Sequence, residues 1–245
     1  MLVIDDILNE QQLLECRNNF NELYNLKPGR DDYWDLNTPL HTDDFNRIDT
    51  YFDKTFTPKH VESYNHVWWG GWWNEPTNNI QHQVIEWVTK RILPMIDMEG
   101  AKGFEYWTFP NSQGDPSSNY WHTNRNEFLD NFKQTEGLGS VWPMYSIVTY
   151  GLGAQGWDVT GGELEVSSRR HREGSIFMEG EKLIPGYKEL LGETELIKPK
   201  HNRTIVIDGE LYHRVREHEG TRWAFVFDIW DEDLPQLRRK LGDKL

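Results

Sequence analysis

Residues 197–230 read IKPKHNRTIVIDGELYHRVREHEGTRWAFVFDIW, and this stretch decides the fold. It contains two apolar alternating runs, Thr204–Asp208 and residues 223–230. Alternation with a period of two is typical of strands that bury one face. We therefore expect the runs to form neighbouring antiparallel strands. Between them lie His213 and, nine residues later, Arg222, a side chain suited to a metal and one suited to a carboxylate.

Further strands are predicted upstream of this stretch. Residues 104–109 alternate, and residues 141–150 place Ser146 and Tyr150 on one face with Tyr145 on the other. The sequence Gly161-Gly162-Glu163-Leu164 opens another strand. The chain thus contains enough strand pattern for a mainly β domain.

Two helices are predicted before these strands. Asn9 stands three residues before Gln12, which is the spacing of an N-cap and its reciprocal partner, and apolar residues then recur at helical spacing to about residue 24. A second helical pattern covers residues 79–93 and ends at Pro94. We expect both helices to pack on the outer face of one sheet.

Composition limits the partners. The formal net charge of -14 and the pI near 5.1 disfavour nucleic acid and anionic membrane surfaces. The one cysteine, Cys16, excludes an intrachain disulfide and a thiolate metal cluster. The acidic N-terminus is unlike a secretory signal, and no apolar run reaches membrane-spanning length, so a cytoplasmic location is expected.

Three motifs occur in a meaningful order. Trp121-His122-Thr123-Asn124 comes first, the Gly-Gly-Glu-Leu strand follows, and His213 with Arg222 comes last. In this order the motifs resemble the iron(II) and 2-oxoglutarate dependent dioxygenases, specifically the prolyl 4-hydroxylase-like branch. The resemblance covers residues 106–230, about half of the chain.

The resemblance implies a mainly β fold with flanking helices (α+β), built on a double-stranded β-helix, which is a cupin-like jelly roll. The chain is then a single domain over residues 1–245. Residues 1–100 form an N-terminal helical and aromatic support region, residues 101–230 the jelly-roll catalytic core, and residues 231–245 a charged tail.

The resemblance also implies a site. His122, Asn124 and His213 would be the catalytic iron(II) ligands at the open end of the jelly roll. Arg222 would grip the distal carboxylate of 2-oxoglutarate in a two-pronged geometry. A hydroxyl from Tyr145 or Tyr150 would contact the same carboxylate.

Asn124 departs from the family, whose first motif is His-x-Asp or His-x-Glu. An amide oxygen can coordinate iron but carries no charge. Four explanations compete: Asn124 is a neutral ligand, Glu127 supplies the carboxylate, the position is left open for chloride as in related halogenases, or the chain has lost activity.

The implied activity is hydroxylation of an unactivated C–H bond in an amino acid, a peptide or another small molecule, coupled to oxidative decarboxylation of 2-oxoglutarate. Dioxygen is the second substrate, ascorbate is a candidate reductant, and neither nucleic acid nor membrane is an expected partner. The alternatives are a 2-oxoglutarate-dependent halogenase and a catalytically disabled jelly-roll binding protein.

One further feature is the basic run Arg169-Arg170-His171-Arg172 in an otherwise acidic protein. A solvated loop is the simpler interpretation. The other is that these side chains steer an anionic substrate, or the carboxylate of a peptide, to the mouth of the site.

Overall fold

The structure is a computed structural model that describes residues 1–24, 67–69, 80–101, 103–111, 120–124, 142–174, 176 and 184–231. Glu127 and the charged tail beyond Asp231 lie outside these residues. Within them, no helix is long and apolar enough to cross a membrane.

Strands dominate the described residues, as the alternating patterns predict. The helices are α1 (Glu10–Asn18), α2 (Phe20–Leu23), α3 (Ile80–Ile92) and α4 (Tyr187–Leu190). The strands are β1 (Leu2–Ile4), β2 (Val67–Trp69), β3 (Gly103–Asn111), β4 (Tyr145–Tyr150), β5 (Thr160–Gly161), β6 (Leu164–Arg170), β7 (Thr194–Ile197), β8 (Thr204–Asp208), β9 (Leu211–Val215), β10 (His218–Glu219) and β11 (Arg222–Trp230).

The N-terminal helix begins where the capping residues predict. The Asn9 side chain accepts a hydrogen bond from the Gln12 backbone N–H at 2.9 Å, and the Gln12 side chain accepts one from the Asn9 N–H at 2.9 Å. This reciprocal pair satisfies backbone donors that a helix start leaves free. The helical pattern does not run unbroken to residue 24, because Asn19 adopts a non-helical conformation between α1 and α2.

The strands form two main antiparallel sheets. The larger sheet has the order β1-β8-β4-β11-β3-β2, and the smaller has the order β7-β6-β9. The two apolar runs at β8 and β11 do lie in one sheet, but they are not neighbours as expected, because β4 pairs with both and separates them. The intervening β9 pairs with β6 in the smaller sheet instead, so no hairpin joins β8 to β11.

The two sheets face each other across an apolar cluster. Val148, Ile205 and Val226 of the larger sheet contact Leu164 and Val166 of the smaller sheet within this cluster. The opposite face of the larger sheet is covered by helices, since residues of β11 and of α1 to α3 share a second cluster. The helices therefore pack on the outer face of one sheet, as predicted from the sequence.

Alternation along β11 decides what points between the sheets. Phe225 and Phe227 face the helices, whereas Ala224 and Val226 face the smaller sheet. Arg222 and Asp228 share the second face by the same period of two. A buried guanidinium and a buried carboxyl group thus lie between the two sheets.

Candidate functional site

His122 and His213 lie side by side between the sheets. His213 is on β9, where its neighbours Leu211 and Val215 on the same face contact the inter-sheet cluster. The backbone N–H of His122 donates to the His213 carbonyl at 3.0 Å, and the reverse bond measures 2.9 Å. The ring centroids are 4.4 Å apart. This bridge adds residue 122 to the edge of the smaller sheet and brings two imidazoles to one place.

The backbone also selects the tautomer of each ring. The Nδ1 atom of His122 lies 2.9 Å from the Tyr120 carbonyl, and that of His213 lies 3.0 Å from the Leu211 carbonyl. Because a carbonyl oxygen only accepts, each Nδ1 must carry the hydrogen. Each Nε2 is therefore left with a lone pair, which is the form that binds a metal ion.

Burial keeps both imidazoles neutral. Desolvation is the main cause that lowers the pKa of His122. It lowers the pKa of His213 to about 3, with a further contribution from the neighbouring His122. A metal ion and a proton compete for the same nitrogen lone pair. Rings that stay neutral at pH 7 are therefore suitable ligands.

Asn124 follows His122 on the same face and reaches across to the larger sheet. Its Nδ2 atom donates to Ser146 Oγ at 3.0 Å and to Asp228 Oδ1 at 3.2 Å. Within the described residues there is no group of three or more His, Cys, Asp and Glu side chains suited to a metal. The imidazole pair and the Oδ1 atom of Asn124 are thus the candidate donor set, and it carries no charge.

Arg222 is a buried cation at the start of β11. It is 3% exposed, its Nη2 donates to the Tyr150 hydroxyl at 2.9 Å, and its Cζ lies 4.7 Å from the centre of the Tyr150 ring. Its buried Nε has no hydrogen-bond partner among the described residues. A buried guanidinium with an unused N–H is costly unless an anion binds it. Arg222 is therefore a candidate anion-binding residue.

The two faces of β4 separate Tyr145 from Tyr150. Tyr150 shares the inter-sheet cluster and contacts Arg222, whereas Tyr145 packs against the helix-side cluster. Because the two residues are an odd number of positions apart on one strand, they point to opposite faces. Tyr150 is the tyrosine that lies beside the candidate anion site.

The Gly161-Gly162 pair lets the chain approach Arg222 closely. Gly162 has a φ of +69°, and a Cβ atom there would lie 3.1 Å from His218 Cβ and 3.4 Å from Arg222 Cδ. A Cβ at Gly161 would lie 2.6 Å from the Glu217 carbonyl oxygen. The absence of a Cβ at these glycines therefore lets the chain pack against Glu217 and His218, next to the side chain of Arg222.

Asp228 is a site residue that motif reasoning missed. It is 1% exposed and lies opposite Ser146 on β4 and Glu105 on β3. Burial, followed by the charge of Glu105, raises the pKa of Asp228 well above its usual range, while hydrogen bonds from Ser146 and Asn124 oppose the shift. The sequence does mark this residue, because Asp228 is an acid within an apolar strand and lies an even number of positions from Arg222, on the same face.

The basic run at residues 169–172 is occupied by structural contacts. Arg169 donates to the backbone carbonyls of Glu173, Gly174 and Leu190. Arg170 pairs with Asp208 at 2.6 Å, and Arg172 pairs with Glu210. These contacts favour the structural interpretation over substrate steering.

No protein-family model matches the chain, and no curated protein matches it. Solved structures that resemble it are 2-oxoglutarate and iron(II) oxygenases, including prolyl hydroxylases. A Pseudomonas putida prolyl-4-hydroxylase is 16% identical, with 70% of this chain and 75% of that chain covered and a TM-score of 0.40. A Trichoplax adhaerens prolyl hydroxylase, solved in complex with a hypoxia inducible factor peptide fragment, is 13% identical, with 98% and 86% covered and a TM-score of 0.41.

A Burkholderia pseudomallei oxidoreductase of the 2OG-Fe(II) oxygenase family is 14% identical, with 64% of this chain and 62% of that chain covered and a TM-score of 0.35. At these identities and TM-scores the likenesses do not assign the chain to a family. The function has to be inferred from the residues between the sheets.

The neutral state of His213 predicts a pH dependence in the metal-free protein. The folded pKa of about 3 lies below the ordinary value of 6.5, so the unfolded chain binds the proton first as the pH falls. His213 therefore contributes stability above pH 6.5 that is progressively lost below it, by about 2 kcal/mol at pH 5. His213→Gln does not titrate, so its difference in unfolding free energy from wild type should change by this amount between pH 7 and 5. Urea unfolding with a chelator measures this; a constant difference would contradict it.

Gly162→Ala should disturb the anion site. The positive φ alone costs about 1–2 kcal/mol of unfolding free energy, and the new Cβ would also press on His218 Cβ at 3.1 Å, beside Arg222. Gly156→Ala is a matched control, because Gly156 has a φ of +82° but no atom within 4 Å of the added Cβ. We expect both variants to lose stability in urea, the Gly162 variant more, and only the Gly162 variant to bind an anion such as 2-oxoglutarate more weakly. Equal binding in both variants would argue against the close approach.

Proposed function

We propose that this chain is a non-haem iron(II), 2-oxoglutarate-dependent oxygenase that hydroxylates an unactivated C–H bond of an amino acid, a peptide or another small molecule. One observation carries the proposal. Two neutral imidazoles whose Nε2 atoms keep a lone pair and a buried guanidinium that has no carboxylate partner among the described residues lie between the same two sheets. A chelating keto acid needs a metal at one end and a cation at the other, and this arrangement offers both.

The strand order supports a double-stranded β-helix as the scaffold. From β3 onward the chain passes repeatedly between the sheets. The larger sheet takes β3, β4, β8 and β11, whereas β6, β7 and β9 build the smaller one, with His122 bridged to its edge. Two facing antiparallel sheets built in this way are the architecture of a jelly roll.

The iron ligands in this proposal are His122 and His213 through Nε2, and Asn124 through Oδ1. Iron(II) would supply the activation of dioxygen and the oxidative decarboxylation of 2-oxoglutarate. The protein's part is to hold neutral nitrogen donors in place before the metal arrives, since both rings are already fixed by backbone carbonyls. The surrounding apolar cluster limits the access of water.

Arg222 and Tyr150 would bind the distal carboxylate of 2-oxoglutarate. The guanidinium stacks on the Tyr150 ring and donates to the Tyr150 hydroxyl. These two contacts fix its orientation. Its unused Nε–H and a terminal N–H lie on one plane, which suits a two-pronged contact with a carboxylate. Lysine would offer only a single point charge.

The halogenase alternative requires an open position for chloride beside the metal. Here Asn124 fills the acid position, and its side chain is tied to Ser146 and Asp228. This contact favours an oxygen ligand over a vacancy. Incorporation of chloride into the product would nevertheless identify a halogenase directly. The disabled binding protein stays a separate outcome, and it predicts that no iron is bound.

Anaerobic titration with iron(II), with and without 2-oxoglutarate, tests the proposal. We expect a visible charge-transfer absorption that requires both components and saturates near one equivalent of iron. A protein that leaves iron free under these conditions would contradict the proposal and favour a binding module. Succinate release in air, with candidate amino acids and peptides, then identifies the substrate class.

A further inference from the structure

Hydrogen bonds to the larger sheet orient the side-chain amide of Asn124. Its Nδ2 group has two hydrogen atoms, and both have acceptors, Ser146 Oγ at 3.0 Å and Asp228 Oδ1 at 3.2 Å. A carboxamide nitrogen has no lone pair for a cation, so only the oxygen end can be a ligand. The bonds to the larger sheet therefore decide which end of Asn124 is left for a metal.

The two acceptors are themselves rigidly placed. Ser146 and Asp228 are paired across β4 and β11, and their relative exposures are 0% and 1%. The amide nitrogen of Asn124 is thus placed against two neighbouring buried side chains of the larger sheet. Turning the amide over would break both of the bonds that Nδ2 donates.

We propose that Asp228 is a positioning residue that holds Asn124 with its Oδ1 atom directed to the imidazole pair. This inference rests on the proposed function, because it assumes a metal at His122 and His213. It also explains how an amide can occupy the position of an acid ligand. Either oxygen of a carboxylate can bind a metal, whereas only one end of an amide can. An amide ligand therefore needs a second residue that orients it.

The same geometry couples the identities of residues 124 and 228. Aspartate at position 124 would set two carboxyl groups against each other at about the present contact distance. Two such groups repel or must share a proton. Asn124→Asp alone is therefore not a clean repair of the site, whereas Asn124→Asp combined with Asp228→Asn exchanges the two groups and keeps an N–H to oxygen contact.

Cobalt(II) binding tests the inference without activity, because cobalt(II) accepts the same donors as iron(II) and reports its ligands by visible absorption. Asp228→Ala removes the acceptor, and we expect the affinity for cobalt(II) to fall about 10- to 100-fold. Asp228→Asn offers a carbonyl oxygen to the same N–H group, so the affinity should stay within about threefold of wild type. A merely structural role would not produce this rescue.

Matched serine variants serve as controls. Ser146→Ala removes the other acceptor of the Asn124 amide, at 3.0 Å, and should also lower the affinity. Ser167→Ala makes the same change at a buried serine that bonds to the Leu191 carbonyl on the other side of the smaller sheet, and it should leave the affinity unchanged. Circular dichroism and urea unfolding establish that each variant is folded.

The outcomes separate the inference from the proposed function. Wild type that binds no cobalt(II) overturns both. Wild type that binds, with binding abolished by His213→Ala but unchanged in Asp228→Ala, overturns only the positioning role. Equal losses in Asp228→Ala and Asp228→Asn also overturn it. If Asp228→Ala does not fold, the exchange variant decides: it should bind cobalt(II) several-fold more tightly than Asn124→Asp alone, and equal affinities contradict the coupling.

Discussion

His213→Ala is expected to abolish iron(II) binding and the formation of succinate from 2-oxoglutarate. In the proposed site His213 is one of the two nitrogen donors, and the described residues offer no further histidine beside the pair. Loss of an outer-sphere partner alone costs roughly 10- to 100-fold in metal affinity, so loss of a direct ligand should exceed about 100-fold. The charge-transfer titration measures binding, and succinate release measures turnover.

A histidine outside the site provides the control for this prediction. His82 is half-buried on α3, where its Nε2 lies 3.1 Å from the Tyr106 hydroxyl on the helix side of the larger sheet. His82→Ala therefore removes a partly buried imidazole without touching the pair. We expect it to keep full iron binding. A His213→Ala protein that still turned over 2-oxoglutarate would remove His213 from the ligand set.

Arg222→Met is expected to separate cofactor binding from stability. Truncating one partner of a buried charge pair costs about 2–5 kcal/mol, which corresponds to roughly 30- to 4,000-fold weaker binding of 2-oxoglutarate. Without the cofactor, Arg222 is a buried cation with an unsatisfied Nε, so methionine should leave the unfolding free energy unchanged or raise it. Isothermal titration and urea unfolding measure the two quantities independently.

Two variants sharpen the Arg222 result. Arg222→Lys keeps the charge but loses the two-pronged contact and the stacking on Tyr150, so an intermediate affinity is expected. Arg214→Met is the matched control, because Arg214 lies on β9 in a pair with Glu165 at 2.7 Å and stacks on Trp121. It should bind 2-oxoglutarate normally. Unchanged affinity in Arg222→Met would exclude the carboxylate role.

Metal binding should respond differently to Arg222→Met and to His213→Ala. Arg222→Met leaves the imidazole pair in place, so cobalt(II) alone should bind to it as to wild type. His213→Ala should lose both metal and 2-oxoglutarate, because the keto acid is held at two ends. The pattern across both variants therefore distinguishes a chelated cofactor from an anion that binds to Arg222 without a metal.

Local patterns in the sequence were sufficient for the elements and their faces. The capping pair at Asn9 and Gln12 predicts the start of α1, and the period of two places Ser146 with Tyr150 and apart from Tyr145. The order of His122, His213 and Arg222 was enough to propose one site. These features depend on neighbours within a few residues, where backbone sterics and side-chain spacing act directly.

Other features depend on pairing between distant segments. The sequence suggested β8 and β11 as neighbours, but β4 separates them, because β9 pairs with the smaller sheet. The bridge between His122 and His213 likewise exists only once the edge of that sheet is built. Several segments of this chain have strand patterns of similar hydrophobicity, and any of them could pair with a given strand. The pairing partner and the register are decided by which arrangement buries the apolar faces.

The sequence by itself therefore determined the strand-rich class, the helix starts, which residues of a strand share a face, and a short set of candidate ligands. Only the tertiary structure decided that Tyr150 contacts Arg222, that Gly162 packs against His218 next to Arg222, and that Asp228 accepts a hydrogen bond from the amide of Asn124. The reason is physical: periodicity is a property of one segment, whereas a hydrogen bond between sheets requires two segments to be brought together by the burial of their apolar faces.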